Sequence, residues 1–389
     1  MRYCEIGSVV EKVKSWNPHS VSDRSITYLD LSSVDNKSKL IVEPTIIGSS
    51  EAPSRARQLV STGDVLVSTV RPNLNAVASV PPELNGATAS TGFCVLRPRE
   101  GQIDSRYLFH WVCTRTFISE MERLATGASY PAVSDKIVHG ATIPLPTIEE
   151  QRRIASILDA ADALRTKRRL VLAKLDTLTQ AIFIDMFGAS GKSTGVPARL
   201  SDHSTLITKG TTPTSVGFDF ADSGVPFVRV QDLQGGTVRA ESIELRISKE
   251  TNKSLSRSIL KPCDVVISIA GTIGRVAIIP DSAPDMNCNQ AVALIRTSPT
   301  LAPVYLAAWL NSQDAKQQIG GSRVTGTISN LSLNSIRNLL LPIPDRMVQQ
   351  RFSDRMLAVQ RLIENVETSS TALNNTFASL QHRAFRGEL

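Results

Sequence analysis

Ile143-Pro144-Leu145-Pro146-Thr147-Ile148-Glu149-Glu150-Gln151-Arg152-Arg153-Ile154 is the stretch on which the fold turns. Proline fixes its own backbone and pushes the residue before it out of helix, so Pro144-Leu145-Pro146 closes whatever precedes it. Thr147 can then cap a first helical turn while Glu150 reaches back, the pattern of a capping box. From there helical spacing continues to about Met186, just before Gly188. The reading is a globular unit over residues 1–146, a long helix over 147–187 and a linker over 188–197.

The same plan recurs. Pro342-Ile343-Pro344 repeats Pro144-Leu145-Pro146 at an offset of 198 residues. Tyr305-Leu306 and Trp309 repeat Tyr107-Leu108 and Trp111 at the same offset. Gly63-Asp64-Val65-Leu66-Val67-Ser68 lies opposite Cys263-Asp264-Val265-Val266-Ile267-Ser268 at 200, and Tyr28-Leu29-Asp30-Leu31 opposite Phe227-Val228-Arg229-Val230 at 199. Matches in one order and at nearly one offset mean two copies of one unit. The second copy comprises a globular unit over 198–344 and a helix over 345–389, with Asp345 as its cap. Short β-type runs punctuated by turn residues fill each globular unit, so the fold class is α+β.

Both helices carry heptads. Ile154, Ile157, Ala161, Leu164, Arg168, Val171, Leu175, Leu178 and Ile182 alternate spacings of 3 and 4. Met356, Val359, Ile363, Val366, Ser370, Leu373, Phe377, Leu380 and Ala384 do the same, each 202 residues later. An apolar a/d stripe must bury against another helix or against a globular core. A register unbroken over the whole length favours the two stripes facing each other as an antiparallel coiled coil. Such a helix is about 58 Å long at ~1.5 Å per residue, a rigid spacer between the two globular units.

The 389 residues are 41% hydrophobic and 20% charged, enough to bury more than one core. A net charge of +7 suits a polyanionic partner. No stretch approaches the ~20 apolar residues of a membrane helix, and the N-terminus lacks a signal-peptide pattern. Cys4, Cys94, Cys113, Cys263 and Cys288 form no CxxC pair and read as reduced thiols of a cytoplasmic protein.

Motifs for chemistry are incomplete. Gly191-Lys192-Ser193 resembles the end of a phosphate loop, but the required earlier glycine is Met186. Gly271-Thr272-Ile273-Gly274 lacks the first glycine of a dinucleotide loop and reads as a β-turn. Pro81-Pro82 is followed by Glu83 where a base-flipping methyltransferase has an aromatic residue, and Asp35-Asn36-Lys37 lacks the Pro-Asp of a nuclease. The five histidines have no metal-ligand spacing. A binding protein is expected, with no cofactor and no metal. Arg165-Thr166-Lys167-Arg168-Arg169 is the densest basic run, read as a solvated helix face or as contacts to DNA phosphates or a partner subunit.

Pro144-x-Pro146 followed by Glu150-Gln151 and Ile154, running on to Leu158-Asp159-Ala160-Ala161-Asp162, resembles the central region of type I restriction–modification specificity subunits. Ile207-Thr208-Lys209-Gly210-Thr211-Thr212-Pro213 and Ser15-Trp16-Asn17-Pro18 resemble the openings of target-recognition domains in that family. Ala384-Phe385-Arg386-Gly387-Glu388-Leu389 resembles its ending. One departure is Val348-Gln349, where the family commonly has an acidic residue before the glutamine. The resemblance spans essentially the whole chain. It implies two target-recognition domains that each read one half-site of double-stranded DNA, and helices that dock methyltransferase subunits. It also implies an ATP-dependent restriction subunit where the system carries one, with S-adenosylmethionine and ATP bound by those partners.

Base reading calls for donors and acceptors presented on loops. Three loop sets are expected to touch DNA: Lys14, Ser15 and Asn17 with Lys209, Thr211 and Thr212; Arg71 and Asn73 with Thr272 and Arg275; Ser129 and Tyr130 with Ser322, Arg323 and Thr325. The coiled-coil seam is expected at Ile157, Leu164, Val171, Leu175, Leu178, Val359, Val366, Leu373, Phe377 and Leu380. A self-sufficient nuclease or methyltransferase and a coiled-coil scaffold for proteins only are the rival readings.

Overall fold

The computed structural model describes residues 2–21, 24–127, 129–188, 195–321 and 330–389. Its fold is mixed helix and sheet. Two compact units emerge, Met1–Arg169 with Thr368–Leu389, and Leu170–Glu367. Each takes in part of both long helices, Ile148–Phe187 and Arg346–Ala384.

In the first unit, Val65–Ser68 lies between Val77–Ser79 and Phe93–Pro98, and the latter pairs with Val10–Glu11. A second sheet joins Thr45–Gly48, Ser25–Leu29, Thr88–Ser90 and Ala56–Leu59 in that order, with Thr88–Ser90 parallel to Ser25–Leu29. The second unit repeats the first of these sheets and has a three-stranded counterpart of the second. Val265–Ser268 lies between Val276–Ile278 and Val292–Thr297, which pairs with Ser204–Lys209. There Asn287–Cys288 runs parallel to Val225–Val228.

The central strands are continuous apolar runs because both of their faces are buried. Alternate side chains of a strand point to opposite faces. Val65 and Val67 enter a core shared with helices, while Leu66 enters a second core behind the sheet. Val265, Ile267 and Val266 divide in the same way. The aspartate that begins each run is buried and takes a two-pronged arginine. Arg97 meets Asp64 at 2.9 and 2.7 Å, and Arg296 meets Asp264 at 2.8 and 2.7 Å.

The Tyr-Leu-x-x-Trp segments form the helices Ser105–Val112 and Pro303–Leu310. Their tyrosine hydroxyls donate to the carbonyls of Pro144 (2.8 Å) and Pro342 (2.9 Å), so each Pro-x-Pro is anchored to its own core. One turn into each long helix a glutamine is buried. Gln151 Oε1 accepts from Asp104 N at 2.8 Å, while its Nε2 donates to Gln102 O (3.2 Å) and Pro146 O (3.0 Å). Gln349 makes the equivalent bonds to Ala302 N (2.7 Å), Thr300 O (3.1 Å) and Pro344 O (2.8 Å). Only half of the expected capping box forms. Thr147 Oγ1 accepts from Glu150 N at 3.3 Å, but the Glu150 carboxylate turns to Arg153 at 2.7 Å.

Within the first unit the start of one long helix lies beside the end of the other. Ile154, Ala155 and Leu158 share a core with Ala384 and Phe385, and Phe385 sits 5.1 Å from Tyr107 and 5.0 Å from Trp111, ring to ring. The second unit has the converse, Phe183 and Phe187 packing on Tyr305 and Phe352. Each globular fold is therefore completed by aromatic residues from the helix of the other repeat.

One part of the expected seam is corrected. Val359 is buried, and Ile157, Leu175, Val366, Leu373, Phe377 and Leu380 are half-buried. Leu164, Val171 and Leu178 are exposed, at 52%, 39% and 37%. The inward stripe of the first helix runs one residue later, through Leu158, Asp162, Arg165, Arg169 and Leu172. Gln151, Ile154, Ala155 and Leu158 fix the rotation of the helix at its start. A straight α-helix drifts about 20° per heptad from a strict 3.5-residue repeat, which turns Leu164 and Val171 towards solvent, while Leu175 is covered again.

Candidate nucleic-acid interface

In the first unit the chain leaves Val65–Ser68 through Thr69 and Val70 into a 3₁₀ turn, Pro72–Leu74. Arg71 (φ 50°) and Asn75 (φ 45°) bracket the turn in the left-handed region, where L-residues other than glycine are strained. Neighbours hold them there. Arg71 N donates to Pro131 O at 2.7 Å, Val70 pairs with Ala132, and Thr69 N donates to Gly92 O at 2.9 Å. Loops 69–75 and 129–132 thus lie side by side. The Arg71 guanidinium sits 4.7 Å from the centroid of the Tyr130 ring, which is 68% exposed. Asn73 and Ser129 are exposed beside them. A guanidinium stacked on an aromatic face loses little freedom and keeps a fork of donors pointing outward, a geometry that suits guanine or phosphate.

Lys14, Ser15 and Asn17 run along the Ala56–Leu59 strand. Leu59 N donates to Lys14 O, Ser15 pairs with Gln58, and Trp16 N donates to Arg57 O at 2.9 Å. Asn17 Oδ1 accepts from His19 N. Gln58 Nε2 donates to Ser90 O (2.8 Å) and Phe93 O (2.7 Å), and Thr91 N donates to Arg55 O (2.8 Å). The three loop sets of this unit are therefore joined through residues 90–93 into one rim. That rim also carries Arg55 and Arg57, which the sequence reading passed over. Their Arg-x-Arg spacing, with Arg55 in the turn just before the strand and Arg57 in it, was the available signal.

The second unit builds its rim on the same frame. Ile269 N donates to Ala291 O (2.8 Å), as Thr69 N does to Gly92 O, and Leu331 N donates to Ile269 O (2.9 Å), as Val133 N does to Thr69 O. Thr212 Oγ1 bonds the side chain of Gln290. Gly210 is required by close approach, since a Cβ there would lie 1.9 Å from Cys288 O. Lys209 and Thr272 are exposed and Thr211 is half-buried. Arg275 departs from expectation. It is half-buried and turns back, with Nη1 3.4 Å from Val230 O. Ser322, Arg323 and Thr325 lie outside the described residues. Gln290 is exposed on this rim and was missed.

The basic run of the first long helix divides by role. Arg165 is half-buried over Phe377 (4.2 Å) and bonds Asp162 (2.9 Å) and Asn374 (2.8 Å), while Lys167 and Arg168 are exposed. Burial pushes the Cys113 and Cys288 thiols up to about 12, so both are protonated core groups. Among the described residues no His, Cys, Asp and Glu gather into a metal-binding cluster, and no helix is long and apolar enough to cross a membrane.

The sequence matches the family described as type I restriction modification DNA specificity domain twice, at residues 32–173 and 197–375. It is 26% identical over 331 residues to the type I restriction enzyme EcoBI specificity subunit of Escherichia coli, covering 76% of this chain and 68% of that one. It is 24% identical over 325 residues to the MjaIX specificity subunit of Methanocaldococcus jannaschii, covering 78% and 73%. A solved chain from work on complex assembly and conformational transition of the type I R-M system superposes with a TM-score of 0.63 at 25% identity, over 100% of this chain and 98% of that one. The type I restriction–modification system S subunit from M. genitalium shares the fold, with a TM-score of 0.55 at 12% identity over 99% of this chain and 96% of that one.

Proposed function

The chain belongs to the type I restriction modification DNA specificity family, whose domain it contains twice, and on that premise we propose that it reads a bipartite DNA site, one half-site per globular unit. It is the non-catalytic specificity subunit of a complex whose chemistry resides in its partners. The observation that carries the reading is the doubled rim. Equivalent strands deliver equivalent loops to one edge of each unit, but with different side chains, Arg71, Asn73 and Tyr130 against Thr272, Thr212 and Gln290. One frame with two sets of readers suits two different half-sites.

The long helices pair as an antiparallel coiled coil and set the spacing of those half-sites. The antiparallel packing of helix ends within each unit supports this. Half-sites one DNA turn apart are about 34 Å centre to centre, within the reach of such a helix. Methyltransferase subunits dock on the outward face of the first helix. Leu164, Val171 and Leu178, seven residues apart, leave an apolar stripe there for a partner to cover. An ATP-dependent restriction subunit joins where the system has one, and the complex acts on DNA in the cytoplasm.

The test is footprinting of the complex assembled with its methyltransferase subunits. Arg71→Ala should abolish protection of one half-site and leave the other, and log K should fall steeply with log salt. Unchanged protection of both half-sites would remove Arg71 from the interface. Binding indifferent to salt would favour a protein scaffold.

A further inference from the structure

Beneath the Arg71–Asn75 loop lies a short hairpin, Val34–Asp35 paired with Leu40–Ile41. Its tip touches both the loop and the first long helix. Lys39 Nζ donates to the carbonyl of Asn75, the residue that ends the loop. Two residues earlier, Lys37 O accepts from Arg169 Nη1 of the helix at 3.0 Å. Asn75 is itself buried, and its Nδ2 reaches Val112 O at 3.4 Å. Of the four non-glycine residues with positive φ among those described, three belong to this assembly: Lys39 (59°), Arg71 (50°) and Asn75 (45°). Left-handed conformations persist only where surrounding contacts over-determine them.

The second unit has a counterpart built from other residues. Arg239 forms an ion pair with Glu367 of the second long helix at 2.7 Å. The same loop joins the strand that follows the reading loop, through Val238 N to Ile278 O (3.1 Å) and Ile278 N to Gly236 O (2.9 Å). A support with the same place in both repeats, but made by different side chains, points to a role in the arrangement and not to a chance contact.

We propose that Lys39 is a positioning residue for DNA reading in the first unit: with the Lys37–Arg169 contact it forms a strut that refers the Arg71–Asn75 loop to the long helix. This rests on the reading of Arg71 as a DNA contact. The loop alone has a strained backbone and an exposed tip. Tied at Asn75 and braced on the helix, it offers the Arg71–Tyr130 pair at a fixed height. Lys39 acts through the loop, its ammonium donating to the Asn75 carbonyl.

The test compares Lys39→Met, which keeps an unbranched stem as far as Cε and removes the ammonium, with Lys39→Arg, which keeps a cationic donor. Two readouts are taken on the assembled complex. The first is amide exchange at Leu74 and Asn75, whose N–H groups close the turn onto Arg71 O and Pro72 O. The second is discrimination between the correct sequence and a substituted one at each half-site separately. Lys39→Met should speed exchange at these amides and lose about tenfold discrimination at the half-site affected by Arg71→Ala, with none lost at the other. Lys39→Arg should restore most of both. Unchanged exchange in Lys39→Met, or an equal loss at both half-sites, overturns the strut. Failure of the functional reading is distinguishable, because the wild-type complex would then select no half-site while the exchange result still judges the strut.

Discussion

Replacing Gln151 with methionine tests how each long helix is fastened to its globular unit. The side chain is buried and serves three main-chain groups, Asp104 N, Gln102 O and Pro146 O, at 2.8, 3.2 and 3.0 Å. Methionine nearly conserves the volume, so little of the cost is cavity. Each of these three part-buried main-chain groups left without a partner costs about 1–1.5 kcal/mol, giving about 3–4.5 kcal/mol in all. Asp104 is also the cap of Ser105–Val112, accepting from Arg106 N and Tyr107 N, so the loss spreads into that helix. Hydrogen exchange reads the opening locally. Protection of amides in Leu108–Val112 and Ile154–Leu158 should fall by about 10²–10³, each tenfold being about 1.4 kcal/mol. Amides of Leu306–Leu310 should be unaffected, and Gln349→Met should reverse the pattern. Gln151→Glu should be worse, because a carboxylate would face the two carbonyls that the amide now serves. A loss below tenfold in Gln151→Met, or equal losses in both units, would mean that these bonds do not fasten the helix to its unit.

Three further outcomes follow from packing and charge. Gly210→Ala would place a Cβ 1.9 Å from Cys288 O and 2.4 Å from Asn289 O; the main chain must move, and binding of the second half-site should be lost while that of the first persists in footprinting. Phe385→Ala empties the space against Tyr107 and Trp111 and should destabilise the first unit by about 3–5 kcal/mol in chemical denaturation, with Phe183→Ala doing the same to the second. Burial alone would raise the pKa of Asp159, but hydrogen bonds from His110 and Arg106 outweigh it and hold the carboxyl at about 2, below the ordinary 3.8. A depressed carboxyl pKa stabilises above its unfolded value, so this contribution is complete above pH 3.8 and is lost as pH falls through about 2. With the carboxylate 37% exposed it amounts to about 1 kcal/mol, and Asp159→Asn should flatten the acid limb of the stability curve of the first unit by that amount.

The doubling of the fold was legible in the sequence because paired features such as Asp64 and Asp264, or Tyr107 and Tyr305, do the same structural work in both copies. Helix starts were legible for the same reason, proline and a capping threonine being local signals. The rotation of the first helix was not. It is set by Gln151 and Ile154 against a distant core, and a heptad count sees only the helix itself. Nor was the function of the glutamine pair visible, since two of the three partners of each lie 47 to 49 residues earlier in the chain. Arg71 and Tyr130 stand on loops far apart in the sequence, and folding brings them together. Arg275 has the composition of a reader but is turned inward to Val230 O, which only the position of that carbonyl decides.

In the proposed function one chain imposes a two-part sequence on a separate methyltransferase. This is measured most directly by co-expression with the methyltransferase subunit of the same system in a host free of adenine methylation, followed by a genome-wide map of modified adenines. The expected result is a single motif of two defined halves separated by a degenerate gap of fixed length, with only one half relaxed by Arg71→Ala. No new methylation from a complex shown to assemble, or a motif without two halves, would contradict it.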